Sequence, residues 1–116
     1  MSKTISGIIT NNIIINGDNV LGYQLINANS NDTFDDSGII YVPTASASRT
    51  LTLPKINYIG IEKKIIFQSY VEEYPTIIEI NNADTINGGS SYALTTSDVI
   101  YYLYSTSLTT WIITLL

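Results

Sequence analysis

Apolar positions along this chain come in short runs broken by clusters of Asn, Asp, Gly, Pro, Ser and Thr. The runs are dominated by Ile, with Thr, Tyr and Val behind it, residues that pack well on a pleated surface. Apolar spacing of i, i+3, i+4 is never sustained, so no helix is expected. Turn residues return every ~8–12 positions, the rhythm of a sandwich or barrel. Strands are expected over 5–10, 13–16, 23–27, 38–42, 49–53, 64–70, 76–80, 92–95, 98–105 and 110–116, with a short piece at 85–86. Asn11-Asn12, Asn16-Gly17-Asp18-Asn19, Asn81-Asn82 and Asn87-Gly88-Gly89 read as turns, 27–37 as a polar loop, and Pro43 and Pro54 as strand stops.

Two strands near the C-terminus break the apolar-in, polar-out alternation expected when one sheet face is wet. In 99–104, Val99, Tyr101 and Leu103 share one face, and Ile100, Tyr102 and Tyr104 share the other. In 111–116 the two sets are Trp111, Ile113, Leu115 and Ile112, Thr114, Leu116. An exposed large apolar side chain forfeits ~1.5–3 kcal/mol of burial. A lone sandwich covers one face of each strand, so a second copy of the chain is the expected cover for the other. Candidate oligomer-interface residues are Ile100, Tyr102, Tyr104, Trp111, Ile113 and Leu115. Ile13-Ile14-Ile15 is also apolar on both faces, which leaves residues 1–37 open as either an extra hairpin or an intersubunit arm of a single domain spanning 1–116.

Composition removes most chemistry. The chain has no Cys and no His, so it has no disulfide, no thiolate nucleophile, no Ser–His dyad and no imidazole metal ligand. Only 13% of residues are charged, against ~25% in a typical soluble domain. Net charge is −5, and the five basic residues, Lys3, Arg49, Lys55, Lys63 and Lys64, are scattered apart from one pair. Neither nucleic acid nor an anionic membrane is therefore an expected partner. The N-terminus lacks the apolar core of a signal peptide, and the longest apolar stretch, Val99 to Tyr104, is strand-length, far short of the ~20 residues of a membrane helix.

Candidate sites are few. Oxygen ligands are dense in 27–36, but their spacing does not fit a calcium loop, and Asn and Asp are common turn formers, so no metal or cofactor is expected. Asn31-Asp32-Thr33 is a formal glycosylation sequon and reads as part of the same turn. Among Asp35, Asp36, Glu72, Glu73, Glu79, Asp84 and Asp98, all but Glu79 lie in or beside turns, where acids are ordinarily solvated, and no enzyme is expected. Of nine Tyr, the loop-proximal Tyr58, Tyr70, Tyr74 and Tyr92 are candidate glycan contacts.

From Gly38 onward the segment order resembles that of viral and phage fibre domains, of the tail-fibre or head-fibre kind. The residues that carry the likeness are Arg49-Thr50-Leu51-Thr52-Leu53-Pro54, the turn at Gly60, Lys64-Ile65-Ile66-Phe67-Gln68, Ile77-Ile78-Glu79-Ile80, Asp84-Thr85-Ile86-Asn87-Gly88, Val99 to Tyr104 and Thr110-Trp111-Ile112-Ile113. Where that family often has a Gly- or Asn-rich turn before the final Trp, this chain has Ser105-Thr106-Ser107-Leu108-Thr109. The resemblance implies a small antiparallel β-sandwich, jelly-roll-like and homotrimeric. It also implies a virion location after assembly in the host cytoplasm, with contacts to other virion proteins or to a host receptor or glycan. A stand-alone carbohydrate-binding module is the alternative.

Overall fold

The computed structural model describes residues 5–9, 12–15, 18–81 and 83–116, the first three strands by backbone alone. Among these residues the chain is all β, with no helix. β1 (Ile5–Ile9), β2 (Asn12–Ile15) and β3 (Asp18–Leu21) form an antiparallel meander that pairs only within itself. The strand at β3 was not expected; the turn signal at Asn16 to Asn19 is narrower than it looks, and Asp18 and Asn19 already belong to the strand. Asn11, Asn16 and Gly17 of the expected turns, and Asn82, lie outside the described residues.

The rest builds two facing mixed sheets. The larger holds β4 (Gln24–Leu25), β6 (Ile39–Val42), β8 (Glu62–Phe67), β10 (Thr85–Ile86), β12 (Val99–Ser107) and β13 (Thr110–Leu115), in the order β10-β13-β12-β8-β6-β4. The smaller holds β5 (Asp32–Thr33), β7 (Arg49–Thr52), β9 (Thr76–Glu79) and β11 (Ser91–Ala93), in the order β11-β9-β7-β5. β5 was hidden in the polar loop, where two residues are too few to show a period.

From β4 to β9 the chain crosses to the opposite sheet after every strand. Each strand therefore returns beside its predecessor in the same direction, and β4–β6, β6–β8, β5–β7 and β7–β9 are all parallel. Antiparallel pairing throughout, the sequence expectation, is thus corrected for this half. Parallel neighbours need a crossover, and here the opposite sheet supplies it in place of a helix. Antiparallel pairing appears at β9–β11, β8–β12 and β12–β13, while β10 again pairs in parallel, with β13. β4 and β5 lie within 1–37 and belong to the main sheets, so the separate N-terminal piece ends before Gln24.

One core fills the space between the sheets. Ile40, Val42, Ile65, Phe67, Tyr101, Leu103, Trp111 and Ile113 enter it from the larger sheet; Leu51 and Ile78 enter from the smaller. Each set is a strict alternation, as period two requires. Polar ties hold the loops around it. The Tyr101 hydroxyl accepts from the Thr95 and Thr96 amides at 3.2 and 3.1 Å. Ser105 Oγ accepts from the Gly60 and Ile61 amides at 3.0 and 2.9 Å. Gly60 has φ +92°, a left-handed backbone that disfavours any Cβ.

All four outer edges of the two sheets are strands of two or three residues: β4, β10, β5 and β11. Short edges offer little template for edge-to-edge pairing. Beyond β10, Asn87-Gly88 makes a tight turn with both φ angles positive. The Asn87 side chain then imitates backbone against β13. Its amide donates to the Ile113 carbonyl at 3.1 Å and its oxygen accepts from the Ile113 N–H at 3.0 Å.

Candidate functional site

Two surfaces stand out. The first is the outer face of the larger sheet. Cross-strand partners point to the same side, so the register decides which residues meet there. Ile100 lies opposite Ile66, Tyr102 opposite Lys64, and Tyr104 between Glu62 and Ile112. The Tyr102 and Tyr104 rings stack with centroids 4.9 Å apart. A hydrogen bond to Glu62 raises the Tyr102 phenol above its ordinary value, with burial and the charges of Glu62 and Tyr104 adding to the rise. Towards the β6 side, Tyr41, Ile66 and Ile100 are buried as a second small cluster, flanked by Tyr23 and Ile39. Tyr23 meets Tyr41 edge-on at 6.4 Å. Burial raises the Tyr41 phenol, and Tyr23 adds to the effect.

The expected interface set therefore divides. Ile100, Tyr102 and Tyr104 lie on the outer face, with Ile100 already buried and the two Tyr half-buried. Trp111 and Ile113 are corrected: both are buried in the chain's own core and leave no surface for a neighbour. The antiparallel register puts Trp111 opposite Ser105 and Ile113 opposite Leu103, all inward-facing. The outward residue of β13 beside Tyr104 is Ile112, half-buried. Leu115 lies on the inward side, opposite Tyr101, but at the strand end, and is 53% exposed; Leu116 is similarly exposed.

The four loop-proximal Tyr do not converge. Tyr58 precedes β8 and Tyr70 and Tyr74 follow it, so they lie beyond opposite ends of that strand. Tyr92 is half-buried and packs edge-on against Tyr101 at 6.0 Å. Burial raises its phenol, with Tyr101 adding to the rise.

The second surface is a pocket of about 260 Å³ at the β7–β8 connection, lined by Asp36, Pro54, Lys55, Asn57, Tyr58, Ile61 and Lys63. Lys63 continues the inward period of Ile65 and Phe67 and is only 3% exposed. Its ammonium donates to the Asp35 and Ser37 carbonyls at 2.6 and 3.0 Å. Burial lowers its pKa, against the opposing pull of Asp35 and Asp36. Lys55 donates to Asp84 Oδ1 at 2.7 Å, and the other oxygen of that buried carboxylate accepts from the Ile56 amide. Sequence reading missed Lys63 as a pocket residue, although period two counted back from Phe67 already turns it inward.

The acids of 32–37 are turn formers. Asp32 accepts from the Asn27 and Thr33 amides, and Asp35 accepts from the Ser37 amide at 2.7 Å. Hydrogen bonds from the Ser37 hydroxyl and then from its amide hold the Asp35 carboxyl below its usual value. Among the described residues, no three acids gather in a form that could hold a metal ion. No protein-family model matches the chain, and no curated protein is similar to it at a significant level.

Proposed function

We propose that this chain is a structural assembly module: a homotrimeric fibre or capsid-decoration domain of a virion, which holds and presents loops and does not catalyse. The observation that carries the reading is the outer face of the larger sheet. There the Tyr102–Tyr104 stack and Ile112 form an aromatic and apolar strip a solvated sheet would not need. Short edge strands direct association to this face and away from the edges. A thiol-free, imidazole-free chain with 13% charged residues supports the same reading. In a threefold arrangement each copy would cover its neighbour's aromatic strip, and loops displayed three at a time would gain avidity.

Light scattering after size exclusion tests it. The expected mass is three times that of the chain. Tyr104→Lys should give a monomer with an unchanged far-UV spectrum. A parent protein that is monomeric at micromolar concentration refutes assembly. A monomer that binds glycans would favour the stand-alone carbohydrate-binding module.

A further inference from the structure

The β7–β8 pocket has the donors and acceptors of a ligand site. An ammonium carries three hydrogens. Lys63 commits two of them to neutral backbone carbonyls, and the third has no partner among the described residues. A buried donor thus lines a pocket that reaches solvent. Around it stand the Asp36 carboxylate, an acceptor, and the Asn57 amide, both donor and acceptor. Tyr58, 58% exposed, brings an aromatic face beside Ile61. Nothing in the core or the turns requires that ring at the rim.

Charge and size narrow the ligand. Lys55 is paired with Asp84, which leaves Lys63 and Asp36 to offset each other. An anion would meet Asp36, and a purely apolar ligand would strip water from Lys63 and return no acceptor. A ring of hydroxyls with one C–H face meets all the groups: the C–H face lies on Tyr58, and the hydroxyls accept from Lys63 and donate to Asp36. The volume falls below the ~300–1,000 Å³ of drug-sized sites, which limits the ligand to about one ring. We infer that this pocket binds a single neutral pyranose, such as the terminal residue of a glycan. It uses no residue of the outer sheet face, so it stands or falls separately from trimer formation.

The test is an amide-shift NMR titration of the full chain with the methyl pyranosides of glucose, galactose, mannose and N-acetylglucosamine, and with the methyl glycoside of N-acetylneuraminic acid. At least one neutral sugar should shift the Asn57, Tyr58, Ile61 and Lys63 amides in a saturable way. Tyr58→Ala, at an exposed position, should weaken that binding tenfold or more, and Tyr58→Phe should keep it. Asn57→Ala provides a second variant that leaves the loop-holding bonds of Lys63 intact. The inference is overturned by any of three results: no shifts with any neutral sugar at tens of millimolar, shifts confined to the Tyr70–Tyr74 loop, or preference for the acidic sugar.

Discussion

Arg49 offers the sharpest test of how this fold is held. It begins β7 on the inward side, in line with Leu51 and Leu53, and is only 2% exposed. Among the described residues, no carboxylate is a hydrogen-bond partner of Arg49. Nε donates to Thr76 Oγ1 and Nη1 to the Asn27 carbonyl, both at 2.8 Å, and Nη2 donates to the Pro43 carbonyl. One side chain thereby ties the loops after β4 and β6 to strand β9. Hydrogen bonds from a charged donor contribute ~1.5–3 kcal/mol each, so three give about 5–9 kcal/mol before the ion's desolvation is counted. Burial lowers the guanidinium from its ordinary value to about 10, which at ~1.36 kcal/mol per pH unit is a cost of about 3 kcal/mol. The difference leaves a net contribution of roughly 2–6 kcal/mol. Arg49→Met keeps the aliphatic stem and removes every donor, so it should lose about that much. Arg49→Lys should fall between, because one ammonium cannot span three diverging acceptors. The assay is urea and thermal unfolding followed by the fluorescence of the buried Trp111, at equal protein concentration so that any association shifts all variants alike. For a domain of this size the Met variant should melt lower by roughly 10 °C or more. If it unfolds within ~0.5 kcal/mol of the parent, the loops do not depend on the guanidinium and the account is wrong.

Other outcomes follow from single observations. Trp111→Asp should cost several kcal/mol, because an unpaired carboxylate would sit among core side chains; Trp111→Phe should cost less than Trp111→Ala, since the indole N–H it removes has no hydrogen-bond partner among the described residues. Equal losses for Phe and Ala in denaturant melts would contradict that ranking. Gly60→Ala should destabilise by about 1 kcal/mol from its φ of +92° alone, because no atom lies within 4 Å of the added Cβ. A neutral or stabilising change would remove the strain argument. Tyr41 gives a pH signature: its folded pKa is raised, so its contribution is fully present below the unfolded value of 10.0 and is lost as pH rises through the folded value. Tyr41→Phe should therefore flatten the alkaline loss of stability measured by denaturation above pH 10, and an unchanged slope would show that Tyr41 does not drive it.

Much of the fold was legible in the sequence, because strand composition and turn chemistry are local. β6, β7, β9, β12 and β13 fall within a residue or two of expectation, and Asn87-Gly88 makes the tight turn its residues favour. Period two also encoded the inward direction of Arg49 and Lys63, the two buried cations among the described residues. The turn rhythm could not say where the chain goes after a turn. A long connection such as that between β7 and β8 is equally compatible with returning to the same sheet or crossing to the other. Only the three-dimensional pairing showed that β4 to β9 cross every time and so become parallel.

Candidate surfaces followed the same division. The sequence alone established a chain without Cys or His, poor in charge and rich in β-branched and aromatic residues, with two C-terminal strands apolar on both sides. Side-chain identity and alternation suffice for that. Which side of each strand faces the core was set by the β12–β13 register. It turned Trp111 and Ile113 inward and left Tyr102, Tyr104 and Ile112 outside, because cross-strand partners must share a face. The pocket likewise exists only in the folded chain. Asp36, Tyr58 and Lys63 lie on separate segments; the Lys63 ammonium holds the Asp36 segment through the Asp35 and Ser37 carbonyls, and the Ser105 hydroxyl, donating to the Tyr58 carbonyl, holds the other.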